Sequence, residues 1–137
     1  MTERQVTSRL KTQKKAPKTP TKTAQLKACD VLFGRVIRAR GGCEACGSRS
    51  NLQCAHGFSR RYRATRWDER HCFSLCRGCH FRFTVRPLEW DEFMRDRLGE
   101  VLYEELRDLA LTGPNPDLAV TFARLTQRWA QIQEEAA

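Results

Sequence analysis

Beyond Lys27 the chain has no lysine; all six lie at or before that position, and every later cation is arginine. A guanidinium can grip a phosphate with two parallel hydrogen bonds, whereas an ammonium acts as a point charge. The N-terminal part therefore reads as diffuse attraction to a polyanion, and the remainder as a source of fixed contacts. Long apolar runs are missing too: nothing approaches the ~18 residues of a membrane span. The opening residues, Met1 to Val6, have no apolar stretch of the secretory kind, so a cytoplasmic location without membrane attachment is expected. In that compartment the seven cysteines stay reduced, and their odd number argues further against a disulfide framework. Internal repeats are absent as well.

What is present is charge, unevenly placed. Residues 1–30 carry eight basic and two acidic groups, a net +6. Residues 31–86 carry twelve arginines against Glu44, Asp68 and Glu69, a net +9, and residues 87–137 carry five arginines against eleven acids, a net −6. The basic part coincides with the cysteine-rich part, which favours a nucleic-acid partner. The plainer reading is a solvated basic face that aids solubility.

Residues 1–22, rich in Lys and Thr with two prolines, hold too little apolar surface to fold and read as a disordered basic arm. Leu26, Cys29, Phe33, Val36 and Ile37 recur at steps of three and four, predicting a helix over 23–40 that Gly41-Gly42 stops. Its other face carries Lys27, Arg35, Arg38 and Arg40. A strand is expected over 51–56 and another over 71–75, joined by the basic loop Ser59-Arg-Arg-Tyr-Arg-Ala-Thr-Arg-Trp67, and a helix starts near Cys76 and runs to Val85. Pro87 suits the first turn of a further helix. Helices follow over 88–97 and beyond Gly99, then a Gly113-Pro-Asn-Pro turn, then a last helix over 116–135. The organisation is thus a core over 23–86 and an acidic helical extension over 87–137. The stripe Leu118, Phe122, Leu125, Trp129, Ile132 packs by default on the helices before it, with a homodimer contact as its second use.

Two CxxC turns stand 29 residues apart: Cys43/Cys46 and Cys76/Cys79. In a reduced chain this is the pattern of a tetrahedral structural zinc, with four thiolates and no open position for catalysis. Only ~45 residues lie between Cys43 and Pro87, a length that gains from such a staple. Cys29, Cys54 and Cys72 fall on apolar faces and read as core, as does Trp67. The three histidines, His56, His71 and His80, all lie in the zinc segment. Each taken singly is a structural or surface residue by default; their common order relative to the cysteines is what carries information.

The stretch Cys-Glu-Ala-Cys-Gly … Leu-Gln-Cys-Ala-His56 … Arg-Trp-Asp-Glu-Arg-His71 … Leu-Cys-Arg-Gly-Cys-His80 resembles the HNH nucleases, a branch of the ββα-metal (His-Me finger) superfamily, and within them phage recombination proteins of the NinG type. The resemblance covers about Leu26 to Trp90. It implies an α+β fold: a ββα-metal HNH core stapled by the four-cysteine zinc knuckle, flanked by an N-terminal helix and C-terminal helices. It implies a metal-dependent DNA endonuclease or nickase, acting on recombination or branched DNA, inside a bacterium or phage-infected cell. By the same resemblance His56 is the general base, His71 takes the place of the orienting asparagine, and His80 binds a catalytic Mg²⁺ or Mn²⁺ ion. Arg60, Arg61, Arg63, Arg66 and Arg82 would contact the DNA backbone, with Tyr62 available to stack on a base. Ala55 stands where many members carry a second metal ligand. The competing expectation is a non-catalytic zinc-knuckle DNA-binding protein.

Overall fold

In the computed structural model, which describes residues 15, 16 and 18–137, the chain first becomes regular where a threonine can cap it. The Thr21 hydroxyl accepts the amide of Ala24 at 3.2 Å and opens α1, Lys22–Arg38, satisfying one of the helix's orphan donors. The basic arm expected over 1–22 lies largely outside the described residues. The predicted stripe is buried as expected at Cys29, Phe33, Val36 and Ile37. The helix ends two residues before Arg40. That arginine leaves the helix to donate to the carbonyls of Cys72 at 2.7 Å and Glu69 at 2.8 Å, and Gly41, at φ +85°, turns the chain away.

Strands β1 (Leu52–His56) and β2 (Cys72–Cys76) pair antiparallel, with Leu52 opposite Cys76 and His56 opposite Cys72. The second strand starts one residue later than expected, because Glu69–His71 forms a 3₁₀ turn. The Asp68 carboxylate caps that turn by accepting the Arg70 amide at 3.0 Å, and it delivers His71 into the interior before pairing begins.

A lone two-stranded sheet is marginal in water, and here both faces are covered. On one side lie α1 and, beyond it, α5 (Leu118–Ala136), with Phe33, Ile37, Trp67, Cys72 and Leu125 forming a core. On the other lie α2 (Arg77–Val85), α3 (Pro87–Leu98) and α4 (Glu100–Thr112), around Ala55, Phe73, Leu75, Met94 and Tyr103. Phe73 meets Trp90 edge-on, with ring centroids 5.6 Å apart. Pro87 opens α3, and Gly99 at φ +76° separates it from α4.

Two features depart from the expected organisation. The last helix packs on α1, the first, rather than on α3 and α4, and the Cys29 thiol donates to the Leu118 carbonyl across that seam at 3.7 Å. Of the stripe that would serve a homodimer, Leu125 is fully buried and Leu118 and Trp129 are partly buried in this core, while Phe122 stays exposed. The helices after Pro87 also share the hairpin's core through Met94 and Tyr103. The architecture is α+β: five α-helices and one two-stranded antiparallel sheet among the described residues. No described helix is long and apolar enough to cross a membrane.

Candidate metal centre and histidine cleft

Two short turns build the cysteine cluster. In the first, the Cys43 amide donates to the Ser48 carbonyl at 2.7 Å and the Gly47 amide to the Cys43 carbonyl at 2.8 Å, with Gly47 at φ +81° closing the knuckle. In the second, Cys76 ends β2 and caps α2, its sulfur accepting the Cys79 amide at 3.4 Å. The four ligand atoms of Cys43, Cys46, Cys76 and Cys79 lie within 4.8 Å of one another, and the Cys46 and Cys76 sulfurs are 3.7 Å apart. Zinc–sulfur bonds of about 2.3 Å in a tetrahedron require sulfurs about 3.8 Å apart, so this donor set fits a structural zinc ion. Among the described residues no other group of three or more such ligands comes together.

The electrostatics point the same way. Burial raises the Cys43 thiol, but the amides of Cys76, Cys46 and Ala45 outweigh it and bring the pKa down to about 6. Burial and the neighbouring thiols of Cys76, Cys46 and Cys43 push Cys79 up to about 12. One thiolate forms readily and another resists, as crowded negative charges must until a dication relieves them.

The knuckle also braces the sheet. Glu44 donates its amide to the Ser74 carbonyl at 2.8 Å, and its carboxylate accepts the Ser74 amide at 2.7 Å and Arg40 at 3.0 Å. The open edge of β2 is thereby closed. Arg97 reaches from α3 to the Glu44 carbonyl.

Each histidine has a partner that assigns its proton. His56 ends β1, and its Nε2–H donates to the Arg66 carbonyl at 2.9 Å, leaving Nδ1 as the basic nitrogen. Burial holds its pKa down at about 4, so the ring is neutral at pH 7. His80, in the first turn of α2, donates Nδ1–H to Gln53 Oε1 at 2.7 Å and keeps the Nε2 lone pair; burial lowers its pKa as well. His71 is wholly buried. It donates Nε2–H to the Thr65 carbonyl at 2.5 Å and accepts the Phe58 amide on Nδ1 at 3.3 Å, and burial again depresses its pKa.

The structure thus brings His56 and His80 to one place and sets His71 behind it. A cleft of about 620 Å³ is lined by both, together with Gln53, Cys54, Arg60 from the basic loop, and Gly34 and Arg38 from α1. His71 bears on this cleft through the loop. It pins Thr65, and the next carbonyl, Arg66, holds His56. Ala55 lines a smaller hollow of about 70 Å³ with His80, Phe83 and Trp90.

The arginines grouped together on sequence have different surroundings. Arg60 is exposed at the cleft, with Asp30 3.8 Å away. Arg61 lies 5.9 Å from the Tyr62 ring, and Arg63 lines a separate cleft of about 310 Å³ against α5, beside Arg124. Arg82 is exposed and pairs with Glu89 at 3.0 Å. Arg66 faces inward: its guanidinium forks onto Asp30 at 2.6 and 3.0 Å, so it holds the loop rather than a phosphate.

Asp30 also accepts the Trp67 indole N–H at 2.9 Å. Burial raises its pKa, but the hydrogen bond and charge of Arg66, with Trp67, outweigh this and hold it below the usual carboxylate range. Asp30, Gln53 and Gly57 are the residues that sequence reasoning missed. Gly57 follows His56, and a Cβ there would sit 2.5 Å from both the His71 carbonyl and Met94 Cε. The His-Gly dipeptide was its only visible signal. Comparison with protein families, curated proteins and solved structures finds no match for this chain.

Proposed function

We propose that this chain is a metal-dependent DNA endonuclease or nickase with an HNH-type ββα core, hydrolysing phosphodiester bonds in the His56–His80 cleft. The observation that carries this reading is the pair of complementary tautomers. Two backbone- or amide-fixed imidazoles share one cleft, one with Nδ1 free to take a proton and the other with Nε2 free to bind a cation.

In this reading Arg38 on α1 and Arg60 on the loop hold the phosphodiester from opposite walls. Gly34, which brings no side chain to the α1 wall, leaves room for the Arg38 guanidinium that lies over it. His56 Nδ1 accepts a proton from the attacking water, and the Arg66 carbonyl supports the imidazolium that forms. An arriving phosphodiester raises the His56 pKa from about 4 toward neutrality, since its negative charge favours the protonated ring. His80 Nε2 would hold a divalent ion such as Mg²⁺ or Mn²⁺, which when bound stabilises charge on the phosphate and the departing 3′ oxygen. The cleft's one carboxylate, Asp30, is committed to Arg66 and Trp67. The protein therefore offers one clear ligand, and water and phosphate complete the shell, as suits a hard ion. The zinc ion proposed for the four cysteines would be structural, since four thiolates leave it no open position.

Ala55, which adds no ligand, favours the second reading, a zinc-stapled DNA-binding module without catalysis. Plasmid cleavage in Mg²⁺ or Mn²⁺ separates the two. The nuclease reading expects nicking that His56→Ala reduces at least a hundredfold, in line with the contribution of a positioned base, while DNA binding and circular dichroism persist. Undiminished nicking by His56→Ala would remove that residue from the mechanism.

A further inference from the structure

Beside His80, α2 carries a face that the fold leaves uncovered. The helix has no buried residue; it is held through Phe83, whose ring lies 5.1 Å from Trp90 and 5.0 Å from Phe93. At about 100° per residue, the arc running away from His80 holds Thr84, Arg77, Phe81 and Val85 in turn. Phe81 is 68% exposed and Val85 56%, and Leu88, at the start of α3, extends the patch at 81%. Clustered apolar surface rimmed by polar groups marks an interaction site.

The rim identifies the occupant. Arg77, Arg82 and Arg86 surround the patch, and α2 itself has no acidic residue. Glu89 is shared by Arg82 at 3.0 Å and Arg86 at 3.1 Å, which leaves the rim positive, and Arg77 has no ion-pair partner among the described residues. A partner that suits an exposed phenyl ring inside a ring of guanidiniums has flat apolar faces framed by anions, which describes stacked bases between phosphates. We infer that Phe81 is a wedge: it enters the base stack of a DNA duplex next to the phosphate held in the His56–His80 cleft, with Val85 and Leu88 against the sugars and Arg77 on the flanking backbone. Apolar wedges of this kind part a base step at a cost of a few kcal/mol, which falls where the stack is already weak. This deepens the endonuclease reading and rests on it for the position of the scissile phosphate. It names the preferred substrate as duplex DNA with a weakened step, such as a mismatch or a branch point.

The test uses the full chain carrying His56→Ala, so that DNA is bound and not cut. The probes are a duplex with 2-aminopurine beside a mismatched pair, its fully paired counterpart, and the corresponding single strand. Binding should raise 2-aminopurine fluorescence and favour the mismatched duplex over the other two. Adding Phe81→Ala should abolish the rise and weaken the mismatched duplex about fivefold to a hundredfold, the range of one lost stacking contact, with an unchanged salt slope; Phe81→Trp should restore both. Val101→Ala, an exposed apolar side chain on α4 outside the patch, should leave the fluorescence rise in place. Unchanged fluorescence and preference in Phe81→Ala would overturn the wedge, and so would tightest binding of the single strand or a loss of salt slope in that variant. Cleavage by the native chain is scored separately. If the fluorescence rise depends on Phe81 but no divalent ion supports cutting, the nuclease reading falls and the wedge stands; cutting with a silent Phe81→Ala gives the reverse.

Discussion

Replacing Asp30 with alanine should both destabilise the protein and misplace its proposed catalytic base. Asp30 receives two hydrogen bonds from Arg66, at 2.6 and 3.0 Å, and one from the Trp67 indole at 2.9 Å. Its side chain is 21% exposed and that of Arg66 17%. Hydrogen bonds to a charged group contribute about 1.5–3 kcal/mol each, and orphaning one partner of a buried pair costs about 3–5 kcal/mol. Arg66 retains some solvent and a bond to the Arg60 carbonyl at 3.3 Å, so about 3 kcal/mol is expected for the whole latch. A domain of this size loses roughly 3 °C of Tm per kcal/mol, which predicts a fall of about 9 °C in thermal denaturation followed by circular dichroism. Asp30→Asn, which can still accept from Trp67, should lose roughly half as much. The functional effect should exceed the stability effect. At a temperature where the variant is fully folded, cleavage should still fall about tenfold, because the Arg66 carbonyl that orients His56 hangs from the same latch. A Tm shift under about 3 °C would refute the energetic argument. A large shift with full activity in the folded variant would show that the latch does not govern His56.

Three further outcomes are expected. Cys76→Ser should abolish zinc uptake and the folded circular dichroism signal together, since that sulfur also caps α2; a folded, zinc-free variant would refute the structural role. Gly57→Ala should cost about 1–3 kcal/mol in urea denaturation, the usual penalty of overpacking, because its Cβ would meet the His71 carbonyl at 2.5 Å; a neutral result would show that the turn relaxes easily. His56 and His71 are both held below the free histidine pKa by burial. As pH falls through about 6.5 the unfolded chain takes up protons first, so the stability they contribute is complete above that value and drains away below it, for His56 toward its folded pKa of about 4. For His56, with a folded pKa of about 4 and partial exposure, about 1 kcal/mol should go between about pH 7 and 5. His56→Gln should flatten the denaturation profile by that amount, and an unchanged profile would assign the acid sensitivity to His71 and the cysteines instead.

Much of the site was legible because it depends on short spacings. Each CxxC turn is fixed by its own four residues and a following glycine or histidine, and the α1 stripe by its period. What escaped depends on distant partners. Asp30 looked like one more charge on a helix until the fold brought Arg66, 36 positions away, onto it, and this is why Arg66 read as a phosphate ligand. The burial of His71 follows from a 3₁₀ turn of three residues, too short to leave a periodic signal. The stripe on α5 announced a partner without naming it, since apolar periodicity says which face is covered and nothing about which helix covers it.

That pairing of the last helix with the first sets an order on synthesis. The four cysteines are all in place once Cys79 has emerged and the hairpin's own cover on that side is complete by Tyr103, but Phe33, Ile37 and Cys29 wait for Leu125 to cover them. A nascent chain stopped anywhere before α5 would hold its metal and display a greasy helix. Premature termination or proteolysis in the 113–117 linker is therefore expected to yield an aggregation-prone fragment with its four metal-ligating cysteines intact rather than a smaller soluble domain.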